Sequence, residues 1–329
     1  MRRWVQQALR RFGYQLVRTN VRPRPSLGVH HDDAPLPARL AERLRPDHPR
    51  LVELRRRYAD STLPMLMHTW WTADYVDRTL DLAHFRGDNA YVWQTRHMPE
   101  AHLRYYLYAR DVAERDRLGL FGRLVEDGAF GCWVYRSSRF AALSRDVLDS
   151  VNELNFLERH AGITRQPDLT VLDIGAGYGR LAHRSCEALP NLGRYYCTDG
   201  VAESTFLSEF YLEHRDCRKA TVVPADELAR LEGVRFDLAV NVHSFSEMGL
   251  AAIDGWLALL HRLDVPRLLV VPNDAIALLS MEADGSRRDF EGVLERHGYR
   301  LAVCEPAIAD DDVRELIGVR DHLFLFERA

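Results

Sequence analysis

The chain has 329 residues, enough for one large domain or two modest ones. With 47% hydrophobic and 28% charged residues it is globular in composition, and a formal net charge of −4 argues against a nucleic-acid binder that relies on a basic surface. Five scattered cysteines without a C-x-x-C pair read as reduced thiols of a cytoplasmic protein rather than a disulfide frame or zinc site, and no run approaches the ~18 apolar residues of a membrane span or forms a secretory signal.

Residues 1–25 carry Arg2, Arg3, Arg10, Arg11, Arg18, Arg22 and Arg24 and no acid, while Trp4, Val5, Ala8, Leu9 and Phe12 recur at helical spacing. A basic amphipathic helix of this kind fits a peripheral contact with the inner membrane surface or a synthesis complex. It equally fits a helix docked on its own protein. Residues 20–50 hold six of the fourteen prolines and read as a stiff linker, so residues 1–50 form one unit.

A second unit, 51–143, reads as mostly helical and rich in aromatics: Trp70, Trp71, Tyr75, Tyr91, Trp93, Tyr105, Tyr106, Tyr108, Trp133 and Tyr135. Such rings serve either as core or as platforms for the apolar faces of sugars, which makes the segment a candidate substrate cap. The third unit, 144–329, opens with a helix that Ser144 can cap and whose buried stripe is Val147, Leu148, Val151, Leu154 and Leu157. Asp149, Asn152 and Glu153 lie off that stripe, facing either solvent or a pocket. Strands are expected at 170–174, 194–198, 221–224, 236–241, 267–271, 300–305 and 322–327, with helical patterns between most of them. Alternation of this kind indicates an α/β fold with a parallel, doubly wound sheet. The last two strands are joined by a segment with little helical pattern, which is compatible with an antiparallel insertion.

The strongest local signal runs from Val171 to Leu181, where an apolar strand ends in Asp173 and enters the turn Gly175-Ala176-Gly177-Tyr178-Gly179 before a helix. Glycines let the backbone pass close under a ligand, and helix N-terminal amides offer donors to a carboxylate. Arg180 stands where a dinucleotide fingerprint needs its last glycine, so that reading fails. The next strand ends in Asp199, placed either to accept two ribose hydroxyls or to cap the following helix. The fourth strand ends in a polar cluster of Asn241, His243, Ser244, Ser246 and Glu247, and the Asn/Asp-Pro-Pro-aromatic motif of base-modifying enzymes is missing there.

The acid-x-Gly-x-Gly-x-Gly turn resembles the first motif of class I S-adenosylmethionine-dependent methyltransferases, whose fold is a Rossmann-like seven-stranded sheet. The resemblance implies S-adenosylmethionine as cofactor. It implies contacts from Asp173, Gly175, Ala176, Gly177, Tyr178, Asp199 and Asn241, with Ala225 and Asp226 at the adenine, although Asp226 fits a helix cap equally well. A narrower resemblance runs through Gly87-Asp88-Asn89, Glu126–Gly131, Asp149–Glu153, His243–Met248, Val271-Pro272-Asn273 and His297-Gly298-Tyr299. It is to the sugar O-methyltransferases of bacterial polysaccharide gene clusters, and implies a sugar or glycan hydroxyl as acceptor. His243 suits a general base, with Glu247 as its orienter or its replacement. Asn273 and Ser244 are candidate hydrogen-bonding partners for the ligands. No metal ligand is assigned: the acidic run Asp310–Asp312 reads as a solvated loop. Other acceptors remain on this reading: another small-molecule hydroxyl first, then nucleic acid or protein, then a non-catalytic subunit.

Overall fold

The computed structural model describes residues 36–328, apart from 88–90, 93, 95–97, 138, 274 and 275. The basic helix expected in residues 1–25, with the first part of the proline-rich linker, lies outside the described residues, as do Trp93, Asp88 and Asn89. Among the described residues no helix is long and apolar enough to cross a membrane.

All seven expected strands form, with ends shifted by up to two residues: β1 (Leu169–Ile174), β2 (Leu192–Thr198), β3 (Ala220–Val222), β4 (Leu238–Val242), β5 (Arg267–Val271), β6 (Tyr299–Pro306) and β7 (His322–Arg328). They pair in the order β3-β2-β1-β4-β5-β7-β6. Strands β1 to β5 are parallel, and β7 is antiparallel to both β5 and β6. This is the Rossmann-like seven-stranded α/β sheet expected from the sequence. The sheet is buried on both faces because its strands alternate between two cores: Leu169 and Val171 enter one, Leu172 and Ile174 the other.

The helices covering it in chain order are α1 (Pro49–Ala59), α2 (Ala73–Thr79), α3 (Ala101–Arg115), α4 (Arg145–Ala161), α5 (Arg180–Ala188), α6 (Ala202–His214), α7 (Leu250–Arg262), α8 (Glu291–Arg296) and α9 (Asp311–Ile317). Helix α4 begins where Ser144 Oγ accepts from Val147 N and ends at Gly162, whose φ of 60° suits a residue without Cβ. Its whole expected stripe is buried. Asp310, first of the acidic run, caps α9 by accepting from Val313 N, so the connection before β7 holds a short helix.

Helix α1 is strapped across the parallel edge of the sheet by arginines: Arg50 to Glu209 at 2.6 Å, Arg55 to Glu203 at 2.6 Å and Arg57 to Asp226 at 2.7 Å. Deeper in, Arg86 is fully buried between Glu126 (2.7 Å) and Asp146 (3.1 Å), and Arg184 reaches the same Glu126 at 3.2 Å. Ser144 and the amides of Asp127 and Gly128 also donate to Glu126, and Gln94 and the Tyr178 hydroxyl donate to Asp146. Cys132 joins Glu126 and Asp146 in a cluster with metal-ligating atoms, but the positive charge there is already supplied by the two guanidiniums.

Candidate active site

The strand order reverses between β1 and β4, and ligands of such sheets bind at the carboxyl ends of the strands on either side. A cleft of about 590 Å³ opens there, in the range of small-molecule sites. Its floor is the glycine turn. Gly175 has a φ of 69°, and a Cβ on it would lie 2.1 Å from Ser244 Oγ. Gly177 has a φ of 57°, and its Cβ would lie 3.1 Å from the Tyr91 ring. Both are left-handed positions that L side chains resist. The N-terminus of α5 follows, with Tyr178, Arg180 and Leu181 lining the cleft.

The carboxylates sit around this floor. Asp173, at the end of β1, accepts from the Tyr195 hydroxyl at 3.0 Å. Asp199, at the end of β2, accepts from Gly177 N at 2.9 Å and Val201 N at 2.8 Å, joining the glycine turn to the start of α6. Burial raises both carboxyls to about 7; the Tyr195 hydroxyl opposes this at Asp173, and the two amides oppose it at Asp199. Glu247 accepts from Trp71 Nε1 at 2.8 Å and Asn273 Nδ2 at 3.0 Å, and burial raises its pKa against those donors. Arg180 is committed to Glu153 by a bidentate pair at 2.8 and 2.9 Å.

At the other wall stands His243. Its backbone has φ 67° and ψ −32°, a sparsely populated region for a residue with a Cβ, held by the bond from His243 N to Val271 O at 2.7 Å. The conformation aims the ring into the cleft beside Asp321, with Nε2 at 3.5 Å from Oδ2. That is ion-pair range, longer than a formed hydrogen bond, and Nε2 has no other partner. Burial pushes the imidazole pKa down, but the Asp321 carboxylate outweighs it and the net direction is up. Arg145 holds Asp321 at 3.3 Å and Asp149 at 3.1 Å, and Tyr108 donates to Asp149 at 2.6 Å.

Of the expected site residues, Asp173, Gly175, Ala176, Gly177, Tyr178, Asp199, His243 and Glu247 all line the cleft, as do Ser244 and Asn273. Three do not. Asn241 is fully buried and acts as a strut: Nδ2 donates to Ile174 O and Oδ1 accepts from Phe245 N. Asp226 faces α1, where Arg57 takes both of its oxygens at 2.7 Å. Ala225 N donates to the Tyr58 hydroxyl at 2.8 Å, and the same hydroxyl donates to Asp199 O at 3.2 Å. The end of β3 is thus closed by side chains of α1, and the cleft is bounded on that side by Met65, His68 and Gly200 instead. Asp321, Arg145 and Asp149 form a polar wall, of which motif reading missed Asp321 and Arg145. Asp321 lies just before β7 with no motif around it, whereas Asp149 was legible as an acid off a helix stripe. Asn152 and Glu153 are drawn into structural bonds, to Ala307 O and Arg180. Among the aromatics, Trp71 and Tyr91 line the cleft, while Tyr105, Tyr106, Tyr108, Trp133 and Tyr135 are core.

No family model and no curated protein sequence matches the chain. Solved structures are similar to it over a little more than half its length. A magnesium protoporphyrin IX methyltransferase from Synechocystis with bound SAM is 14% identical, covering 56% of this chain and 83% of that one at a TM-score of 0.41. A mitomycin 7-O-methyltransferase is 18% identical, covering 55% and 57% at 0.37. An S-adenosylmethionine-dependent methyltransferase from Clostridium acetobutylicum is 12% identical, covering 55% and 90% at 0.40.

Proposed function

We propose that this chain is an S-adenosylmethionine-dependent O-methyltransferase whose acceptor is a hydroxyl of a sugar or glycan precursor. The observation that carries the donor is the charge of the cleft. Five carboxylates (Asp149, Asp173, Asp199, Glu247 and Asp321) line it against three arginines (Arg145, Arg180 and Arg320). Arg145 and Arg180 are already paired within the protein, and no lysine or arginine pairs with Asp173, Asp199 or Glu247 among the described residues. Such a cleft suits a donor with net positive charge, which would draw the remaining protons off Asp173 and Asp199. Gly175 and Gly177 form the floor of the cleft in left-handed conformations, and their missing side chains make room for Ser244 and Tyr91 beside it.

Bound there, the sulfonium would supply an electrophilic methyl group. The residues of this chain supply the rest. On this reading Asp173 and the α5 N-terminus would take the amino-acid end of the donor, and Asp199 the ribose. His243 takes the proton from the acceptor oxygen, and Asp321 stabilises the imidazolium that results. Trp71 at the cleft, with Tyr75 packed on it at 5.7 Å, offers ring faces to the apolar side of a sugar. The acidic lining also counts against a polyanionic acceptor.

Calorimetric titration with S-adenosylhomocysteine tests the donor site. Gly177→Val and Asp199→Ala are each expected to weaken binding at least tenfold, roughly the loss of one or two good hydrogen bonds or of the space they need. Unchanged affinity in both variants would sink the assignment. A screen of free sugars, glycosides and uncharged glycans with a methyl-labelled donor tests the acceptor class. Turnover of a non-sugar hydroxyl, with none on any sugar, would refute that part alone.

A further inference from the structure

Glu247 is a carboxylate in a setting that would ordinarily hold a cation. It accepts from two neutral donors, Trp71 Nε1 and Asn273 Nδ2, and no lysine or arginine pairs with it among the described residues. Trp71, which holds it, packs on Tyr91 with ring centroids 5.1 Å apart at 33°. Tyr91 in turn lies against the glycine turn: its Cδ1 is 3.1 Å from the position of a Cβ on Gly177. Its hydroxyl is tied to Ser204 Oγ at 3.0 Å, and its ring meets Tyr178 edge-on at 5.5 Å, so the ring is held from both ends. Glu247 is close enough to Asp199 to disfavour the ionisation of that carboxyl. One indole ring, one phenol ring and two carboxylates therefore line one stretch of the cleft beside the glycine turn. Aromatic faces and carboxylates are both attractive to positive charge, and burial strengthens the attraction.

We propose that Trp71, Tyr91 and Glu247 form a charge-selective wall that holds the sulfonium of the donor and discriminates it from the neutral thioether left after transfer. The inference rests on the donor reading above. Its functional consequence is product release: once the methyl group leaves, the sulfur loses its charge, the attraction to the rings and to Glu247 disappears, and the spent cofactor is held less tightly. No residue needs to move for this to happen.

The test is a pair of calorimetric titrations of the full chain, one with S-adenosylmethionine and one with S-adenosylhomocysteine. The wild type is expected to favour the cation. Trp71→Leu, Tyr91→Leu and Glu247→Gln should each weaken S-adenosylmethionine about three- to thirtyfold, the range of a partly desolvated cation–π or charge contact. Binding of S-adenosylhomocysteine should change less than twofold. Tyr91→Phe keeps the ring, loses only the hydroxyl, and should keep the preference. Equal affinity of the wild type for the two ligands, or parallel weakening of both in the variants, overturns the inference and leaves the donor site standing. Binding of neither ligand to the wild type overturns the donor reading itself.

Discussion

Two groups of buried carboxylates lie back to back in this molecule, joined by Tyr178, whose ring lines the cleft while its hydroxyl bonds Asp146. Below the cleft, Glu126 and Asp146 share the guanidinium of Arg86, and Arg184 adds a second to Glu126. Those arginines hold Glu126 far below the usual carboxylate range, in spite of its burial. At the cleft, Asp173 and Asp199 are bonded by hydroxyls and backbone amides rather than by a guanidinium, and burial takes both to about 7. The residue types are the same and the burial is similar. A carboxylate with its cation built in is architecture; one without is a site whose cation comes from outside.

The largest effect expected from separating the two groups is catalytic. His243→Ala should cut turnover by about 10²–10⁴-fold and leave S-adenosylhomocysteine binding nearly unchanged. Asp321→Asn should lower the imidazole pKa, because that carboxylate is what raises it. The neutral base then persists to lower pH, so the acid limb of the rate profile should move to lower pH while the plateau rate falls. Proton NMR of the His243 ring reads the same shift without an acceptor. An Asp321→Asn ring that titrates as in the wild type would remove Asp321 from the mechanism.

Stability should respond in opposite directions at the two carboxylate groups. Arg86→Met leaves Glu126 and Asp146 short of a charge and should cost about 3–5 kcal/mol in denaturant unfolding. Asp173→Asn removes an unmatched charge while keeping an acceptor for Tyr195, and should be neutral or stabilising at about pH 8. The sign follows from linkage. With folded pKa values of about 7 against the ordinary aspartate value of 3.8, the folded chain holds protons that the unfolded chain has released. Asp173 and Asp199 therefore contribute a stability that declines as pH rises from about 4 to 7. Thermal melts from about pH 5 to 8 should show a shallower decline in Asp173→Asn than in the wild type. Identical slopes would mean that Asp173 is not the proton store.

The smallest effect belongs at the surface. Arg43 and Glu213 pair at 2.7 Å, but their side chains are 43% and 66% exposed. Glu213→Gln should change unfolding free energy by at most ~1 kcal/mol, less in high salt. A larger loss would show that the segment before α1 is held to α6 by more than its packing.

Much of the fold was legible because it is written in local pattern. Strand alternation, the Ser144 cap and the buried stripe of α4 all follow from residues that are neighbours in the chain. The glycine turn was legible too, since its backbone geometry depends on residue type at a few consecutive positions. Two acids show the limit. Asp199 and Asp226 both follow strands that end at the same edge of the sheet. One meets the amides of Gly177 and Val201, the other the guanidinium of Arg57. Nothing near Asp226 in sequence announces an arginine that is 169 residues away.

The amino-acid pattern alone specifies which segments are strands and helices, the alternation that makes the sheet parallel, and the left-handed glycine turn, because each is a matter of short-range sterics and periodicity. Which acids keep a built-in cation is a property of the folded arrangement. That arrangement brought Asp321 to His243, placed Trp71 and Tyr91 over the glycine turn, and closed the end of β3 with Tyr58 and Arg57. Charge matching acts through space and is indifferent to chain separation, so it becomes readable only when the chain has folded.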